Sequence, residues 1–194
     1  LGINLNEKQI QQFRILYSEL TDWNSRLNLT SITGWEQTQS RHFLDSLAGI
    51  LALPSISEDS SMAVLDVGSG AGFPGFPIKI SFPNLHVSVL ESSTKKISFL
   101  SHVVETLGLE HLEILEGRAE TFAHNTFLRE NFDVVVSRAV AKLPVLAELT
   151  LPFCRIGGTV IAYKSEDIER EVKYADNSIR TMGGKLRTIL QIDS

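Results

Sequence analysis

The chain has 194 residues, of which 43% are hydrophobic and 21% charged, proportions that fit one compact globular unit with a modest extension. A net charge of −5 argues against a surface that grips nucleic acid all over, so such a partner would need a local basic patch. The lone Cys154 excludes an intrachain disulfide and a Cys-rich zinc site. With no apolar run of about 18 residues and no basic-then-apolar start, the expectation is a cytoplasmic chain with no membrane span and no metal.

The first segment has helical periodicity. Ile10, Phe13, Tyr17, Leu20, Trp23 and Leu27 recur at spacings of three and four and make one apolar stripe. Asn6 with Gln9 forms a capping-box pattern, and Leu5 with Ile10 suits a hydrophobic staple. A second helix is expected from Thr33, with Glu36 three residues on; it carries Phe43, Leu44 and Leu47 and ends before Pro54. Residues 1–54 are thus predicted as a helical extension, and the polar stretch Ser55–Ser61 as a linker. From residue 62 to 194 short apolar runs alternate with helical stretches. Strands are predicted at 64–67, 86–90, 112–115, 132–136 and 159–163, and helices at 93–107, 143–153 and 165–182. That alternation predicts an α/β fold with a mostly parallel sheet, helices on both faces and a ligand at the carboxyl ends of the strands. Cys154, in Pro152-Phe153-Cys154-Arg155, is expected on a buried helix as an inert apolar residue.

The first predicted strand runs straight into Asp66-Val67-Gly68-Ser69-Gly70-Ala71-Gly72. Glycines suit a turn that needs positive φ and a backbone that a ligand approaches closely. Gly70-Ala71-Gly72-Phe73-Pro74-Gly75 also matches the dinucleotide pattern G-x-G-x-x-G, with an acidic residue, Glu91, about 20 positions on. Two features weigh against a pyrophosphate. Pro74 has no N–H to offer it, and the Asp66 carboxylate would repel it. S-adenosylmethionine (SAM) has no phosphate and carries an ammonium, which an acidic residue beside the loop favours. Glu91, at the end of the second strand, suits the two ribose hydroxyls of an adenosine, with Ser92 and Ser93 adjoining. Gly117-Arg118-Ala119-Glu120 follows the third strand and brings Ala119 and Glu120 towards the adenine. Ser137-Arg138-Ala139-Val140 follows the fourth, where Arg138 either faces donor and acceptor or pairs structurally with Asp133 or a glutamate. The Asn/Asp-Pro-Pro-aromatic run of adenine-N6 methyltransferases is absent, as is the Pro-Cys of cytosine-C5 enzymes.

Several segments together resemble one family. They are Asn28-Leu29-Thr30-Ser31-Ile32, Arg41-His42-Phe43-Leu44-Asp45-Ser46-Leu47, Asp66 to Gly75, and Ser137-Arg138-Ala139. The chain resembles, over nearly its whole length, the ribosomal RNA small subunit methyltransferase G family, also called glucose-inhibited division protein B. The resemblance implies a Rossmann-like class I SAM-dependent methyltransferase fold. It implies transfer of the SAM methyl group to N7 of one guanine in small-subunit (16S) rRNA near the decoding region. The family's SAM contacts fall on Gly68, Phe73, Ala119, Glu120 and Arg138, and its acidic ribose position on Glu91. With the loop itself the expected cofactor set is Asp66, Gly68, Gly70, Gly72, Phe73, Glu91, Ser92, Ser93, Ala119, Glu120 and Arg138. The family pattern continues beyond Gln191-Ile192-Asp193-Ser194 with an acidic-to-His turn and a last strand, so the expected sheet lacks that strand. Where the family often has Lys-Gly, this chain has Lys164-Ser165.

N7 of guanine carries a free lone pair at neutral pH, so no general base is expected and none is assigned. The work is in-line positioning, with the guanine presented from an exposed, unstacked loop. Arg41, Lys95, Lys96, Arg138, Lys142 and Lys164 are candidates for a basic rim towards RNA, or are ordinary solvated cations. Phe73 is a candidate to pack against cofactor or base, or a plain core residue. His42 is expected to be a hydrogen-bonded structural histidine rather than a catalytic one. The expected partner is small-subunit rRNA, free or in an assembling 30S subunit, and the chain is expected to be a monomer. Two other readings stay open: a SAM methyltransferase acting on a small molecule or protein, which the acidic net charge supports, and a non-catalytic dinucleotide-binding module.

Overall fold

The structure, a computed structural model, describes residues 2–53, 61–164 and 168–192. The first helix, α1 (Glu7–Leu27), starts on the anticipated capping box: Asn6 Oδ1 accepts the Gln9 N–H at 3.0 Å and Gln9 Oε1 accepts the Asn6 N–H at 2.9 Å. It ends where Asn28 turns left-handed at φ 51°. Its inner face is Gln9, Phe13, Leu16 and Leu20, and burying each of the three apolar side chains contributes about 2 kcal/mol. Ile10, expected on that stripe, is 40% exposed, while Leu5 packs against the core without it. Gln9 takes the inner position instead. Its Nε2 donates to Ile80 O at 2.8 Å and Ser81 O at 3.1 Å, two carbonyls at the end of a neighbouring helix that lack partners within it.

The second helix, α2 (35–52), begins two residues later than expected, after Gly34 at φ 90°. It is not uniform. Ordinary turns at Trp35–Thr38 and Asp45–Ala48 flank a wider π turn at Gln39–Leu44, and a tighter 3-10 turn at Gly49–Ala52 closes it. The extra residue in the wide turn rotates the inner face, which is why His42 and Phe43 are buried and Leu44, expected inside, is 52% exposed.

Beyond lies the sheet. In chain order come β1 (Ala63–Val67), α3 (Gly75–Ser81), β2 (His86–Glu91), α4 (Thr94–Leu107), β3 (Leu112–Glu116), α5 (Ala119–Phe122), β4 (Phe132–Arg138), α6 (Leu143–Thr150), β5 (Cys154–Tyr163) and α7 (Ile168–Thr181). The strands are all parallel, in the order β3-β2-β1-β4-β5. Alternation along β1 and β4 feeds two cores. Val64, Val134 and Val136 face the larger one, which also takes Phe13, Leu16, Phe43, Leu47, Phe76 and Phe99. Leu65, Val67 and Val135 face a smaller one with Phe132 and Phe153. The helical extension therefore shares the main core of the sheet.

Cys154 is corrected by the structure. The predicted helix 143–153 stops at Thr150, a 3-10 turn covers Leu151–Phe153, and Cys154 opens β5, pairing with Phe132 beside a register shift. Burial raises its thiol pKa, which keeps it protonated. Among the described residues β5 is an edge strand and 184–192 has no regular structure. The linker expected at Ser55–Ser61 lies, except for Ser61, outside the described residues, as do 165–167 of the last predicted helix.

Candidate active site

The carboxyl ends of β1, β2 and β4 meet around the glycine loop. The loop is shaped by its own backbone. Gly68 and Ser69 donate to Leu90 O at 2.8 and 3.1 Å, and Gly72 and Phe73 both donate to Ser69 O at 2.9 Å. Gly68, Gly70 and Gly72 all have positive φ, at 71°, 62° and 86°. Their surroundings differ. A Cβ on Gly72 would lie 2.3 Å from Phe76 Cδ2, inside the core. A Cβ on Gly70 would meet nothing nearer than Gly68 O at 3.9 Å. Gly72 is therefore glycine for packing, while Gly70 leaves open space above the loop.

Two carboxylates hold the loop, Glu91 at Gly70 and Asp66 at Gly75. Asp66 is fully buried. Its Oδ2 accepts the Gly75 N–H at 2.8 Å, while Oδ1 makes no hydrogen bond of ordinary geometry, and the buried Ser69 hydroxyl stands beside the carboxylate. Burial is the main cause that pushes the Asp66 pKa up to about 6; Ser69, Gly75 and Arg138 oppose the rise and Glu91 adds to it. Glu91, 7% exposed, holds the loops together: Oε2 accepts from Gly70 N, and Oε1 from Ser92 N and Ser93 N, each at 2.9 Å. Gly117 N donates to Glu91 O at 2.9 Å, which ties the loop after β3 to the same point. Ala119 and Glu120 then form the first turn of α5, Ala119 against the smaller core and Glu120 exposed.

At the end of β4 the buried Ser137 Oγ donates to Val67 O at 2.8 Å. Arg138 follows, its Nη1 donating to Asp45 Oδ2 at 2.7 Å and Arg41 O at 3.0 Å, and its Nη2 to His42 Nδ1 at 2.9 Å. Its guanidinium carbon stands 5.5 Å from the Phe73 ring centre. Ala139 turns to φ 57°, and Val140 leans onto the loop, where a Cβ on Gly68 would come within 2.4 Å of its Cγ2. The pairing of Arg138 with Asp133 weighed from the sequence does not form. Asp133 sits at the other end of β4, where it accepts from Arg155 Nε at 2.6 Å and Ala63 N at 2.8 Å.

The expected cofactor residues Asp66, Gly68, Gly70, Gly72, Phe73, Glu91, Ser92, Ser93 and Arg138 are thus brought to one end of the sheet, with Ala119 and Glu120 just beyond Gly117. Phe73 is 4% exposed, and His42 stacks on its ring at 4.3 Å and 5°. Of the basic rim, Arg41, Lys95 and Lys142 are exposed. Lys96 Nζ lies 3.9 Å from Glu91 Oε2. Lys164 is tied down, donating to Ala141 O at 2.9 Å and pairing with Glu171 at 2.8 Å. Asp45, Thr30 and Tyr163 join the site without having been anticipated. Tyr163, at the end of β5, donates to Ser46 O at 2.5 Å and so fastens α2 over the sheet. The spacing of four between Arg41 and Asp45 suggests a pair on one helix face, but the structure pairs Asp45 with Arg138 instead. A hollow lined by His86, Val87, Ser88, His111, Leu112 and Glu113 lies at the amino ends of β2 and β3, away from this cluster. Among the described residues no group of His, Cys, Asp and Glu could hold a metal ion.

The chain matches the family described as rRNA small subunit methyltransferase G over residues 9–193. A protein of Dehalococcoides mccartyi named Ribosomal RNA small subunit methyltransferase G is 49% identical over 193 residues, covering 100% of this chain and 80% of that protein. One of the same name from Lachnoclostridium phytofermentans is 45% identical, covering 96% of this chain and 76% of its own. Among solved structures, a precorrin-6y C5,15-methyltransferase of Geobacter metallireducens superposes with a TM-score of 0.52 at 16% identity, over 78% of this chain and 73% of its own. At that identity the likeness shows the fold alone.

Proposed function

This chain belongs to the rRNA small subunit methyltransferase G family, and on that premise we propose that it transfers the methyl group of SAM to N7 of a guanine in small-subunit rRNA. The observation that carries the cofactor half is the pair of acidic residues at the glycine loop: the fully buried Asp66, whose Oδ1 makes no hydrogen bond of ordinary geometry, and Glu91, whose Oε2 accepts from Gly70 N. Such a buried carboxylate favours a ligand that brings N–H groups and positive charge. The ammonium of SAM does both; a pyrophosphate does neither, which weighs against the dinucleotide reading. Glu91 would take the ribose hydroxyls, and Gly68 to Gly72 would let the adenosine and methionine parts lie against the backbone. Phe73, Ser92, Ser93, Ala119 and Glu120 complete the proposed cofactor set.

Bound SAM supplies a methyl group already activated for attack by a lone pair. The residues of this chain then have little proton chemistry to do, because N7 has no proton to lose. Arg138 is the residue placed to orient the partners. Three of its hydrogen bonds go to α2, and its Nε–H finds no acceptor among the described residues, so one edge of the guanidinium is left for a ligand. Arg41, Lys95 and Lys142 are the proposed contacts to RNA phosphates, with Lys96 and Lys164 nearer the site. No helix of the described residues is long and apolar enough to cross a membrane. A cytoplasmic, monomeric enzyme acting on the 30S subunit or its rRNA is the remainder of the proposal.

The experiment is methyl transfer from labelled SAM to 30S subunits purified from a strain lacking this enzyme, followed by strand cleavage at 7-methylguanine. A single new cleavage site in 16S rRNA is expected. Label entering a small molecule or protein, with none in rRNA, would establish the second reading, which the net charge of −5 favours.

A further inference from the structure

His42 sits at the centre of a chain of hydrogen bonds that the methyl-transfer reading does not use. Its Nδ1 faces Arg138 Nη2 at 2.9 Å and its Nε2 faces Thr30 Oγ1 at 3.0 Å. A guanidinium only donates, so Nδ1 must be bare and accept. Burial, helped by the Arg138 charge, lowers the His42 pKa to about 4, so the ring is neutral at ordinary pH and its one proton is on Nε2. Nε2–H therefore donates to Thr30 Oγ1. Thr30 is in turn fixed: Oγ1 accepts from Ile32 N at 3.0 Å, Asn24 Oδ1 accepts from Thr30 N at 2.8 Å, and Asn24 Nδ2 donates to Thr30 O at 2.9 Å. The ring is also held flat against Phe73. Orientation and tautomer are both determined before any ligand arrives.

The consequence falls on Arg138. Asp45 and the Arg41 carbonyl hold Nη1 from one side, but Asp45 is half-exposed and alone would let the fork swing. The bare nitrogen of His42 is the inner stop. We propose that His42 is a positioning residue for methyl transfer, a neutral acceptor locked by Thr30 that aims the Nε–H edge of Arg138 at the bound partners. The π turn of α2 serves this arrangement, since it turns His42 inward next to Phe43. The inference rests on the methyl-transfer reading above.

The test compares His42→Phe with His42→Asn in the assay on unmethylated 30S subunits. Phenylalanine keeps the ring against Phe73 and removes the acceptor. Asparagine can present its amide oxygen near the place of Nδ1. His42→Phe is expected to lower kcat at least tenfold while KM for SAM moves less than threefold, and His42→Asn to recover most of that loss. Thr30→Val, which leaves the acceptor but frees the ring, is expected to lower kcat about threefold and serves if His42→Phe does not fold. A folded His42→Phe with wild-type kcat, or a His42→Asn no better than His42→Phe, would overturn the proposal. A wild-type protein that binds SAM and methylates no rRNA would instead overturn the functional reading on which it rests.

Discussion

Asp66 and Gly75 are joined by a 2.8 Å hydrogen bond to one of the two Asp66 carboxyl oxygens, the other being buried with no hydrogen bond of ordinary geometry. The pKa of Asp66 is about 6 in the folded chain against an ordinary value of 3.8. The folded state therefore binds the proton more tightly than the unfolded state, and stability falls as pH rises between about 4 and 6, then levels off. A shift of that size corresponds to roughly 3 kcal/mol. Asp66→Asn removes the buried charge and should be more stable than wild type at pH 7.5 and similar near pH 4, as read by urea unfolding. The ligand effect has the opposite sign. SAM affinity should weaken as pH drops through about 6, because the ammonium loses its carboxylate, and Asp66→Asn should bind SAM weakly at every pH. Calorimetric titrations at pH 5 and 7.5 decide it; an affinity independent of pH in the wild type would remove Asp66 from the cofactor site.

Gly70 and Gly72 should separate binding from folding. Both have positive φ, which costs a side chain about 1 kcal/mol. Gly70→Ala adds a methyl to open space and should fold with about that loss, yet bind SAM far more weakly because the methyl enters the proposed ligand path. Gly72→Ala drives a methyl into Phe76, a fully buried ring, and should lose several kcal/mol by overpacking. Thermal melting with and without SAM reads both. A Gly70→Ala protein with wild-type SAM affinity would place the ligand elsewhere.

These glycines illustrate what the sequence could and could not reveal. Strand–loop–helix alternation fixes a parallel sheet because each apolar run is too short for a helix, and the loop residues Asp66 to Phe73 follow from it. Tertiary partners do not. Nothing local to Arg138 indicates that its partners are Arg41, His42 and Asp45, nearly 100 positions earlier, rather than Asp133 on its own strand. Nor does periodicity signal a π turn, and the strict 3.6-residue repeat misplaced Leu44 for that reason. Gln9 is polar and lies outside the apolar stripe, yet its carbonyl partners at Ile80 and Ser81 make its burial favourable.

Arg138→Ala should abolish most methyl transfer and leave the fold. The ion pair it removes has a half-exposed Asp45 end, so the stability loss is expected at about 1 kcal/mol. Arg138→Lys should rescue little, since one ammonium cannot reproduce bonds to Asp45, His42 and the Arg41 carbonyl while leaving a free edge. Turnover on 30S subunits alongside melting temperatures reads the pair. An Arg138→Lys protein at wild-type turnover would reduce Arg138 to a bare positive charge.

The rim lysines should divide by what already holds them. Lys95 and Lys142 are exposed and have no ion-pair partner among the described residues, so each is available to a phosphate. Lys164 is not, with its ammonium shared between Ala141 O and Glu171. Alanine at Lys95 or Lys142 should weaken RNA binding and lower the slope of log Kd against log salt by about 1 each, with the melting temperature unchanged. Alanine at Lys164 should do the reverse. It leaves the salt slope alone and lowers the melting temperature, because Glu171 loses its counter-ion and the loop after β4 loses its tie to β5. Filter binding of rRNA at several salt concentrations, set beside thermal melts, distinguishes the two outcomes. A reduced salt slope in Lys164→Ala would mean that RNA displaces Glu171 on binding and that Lys164 belongs to the RNA surface after all.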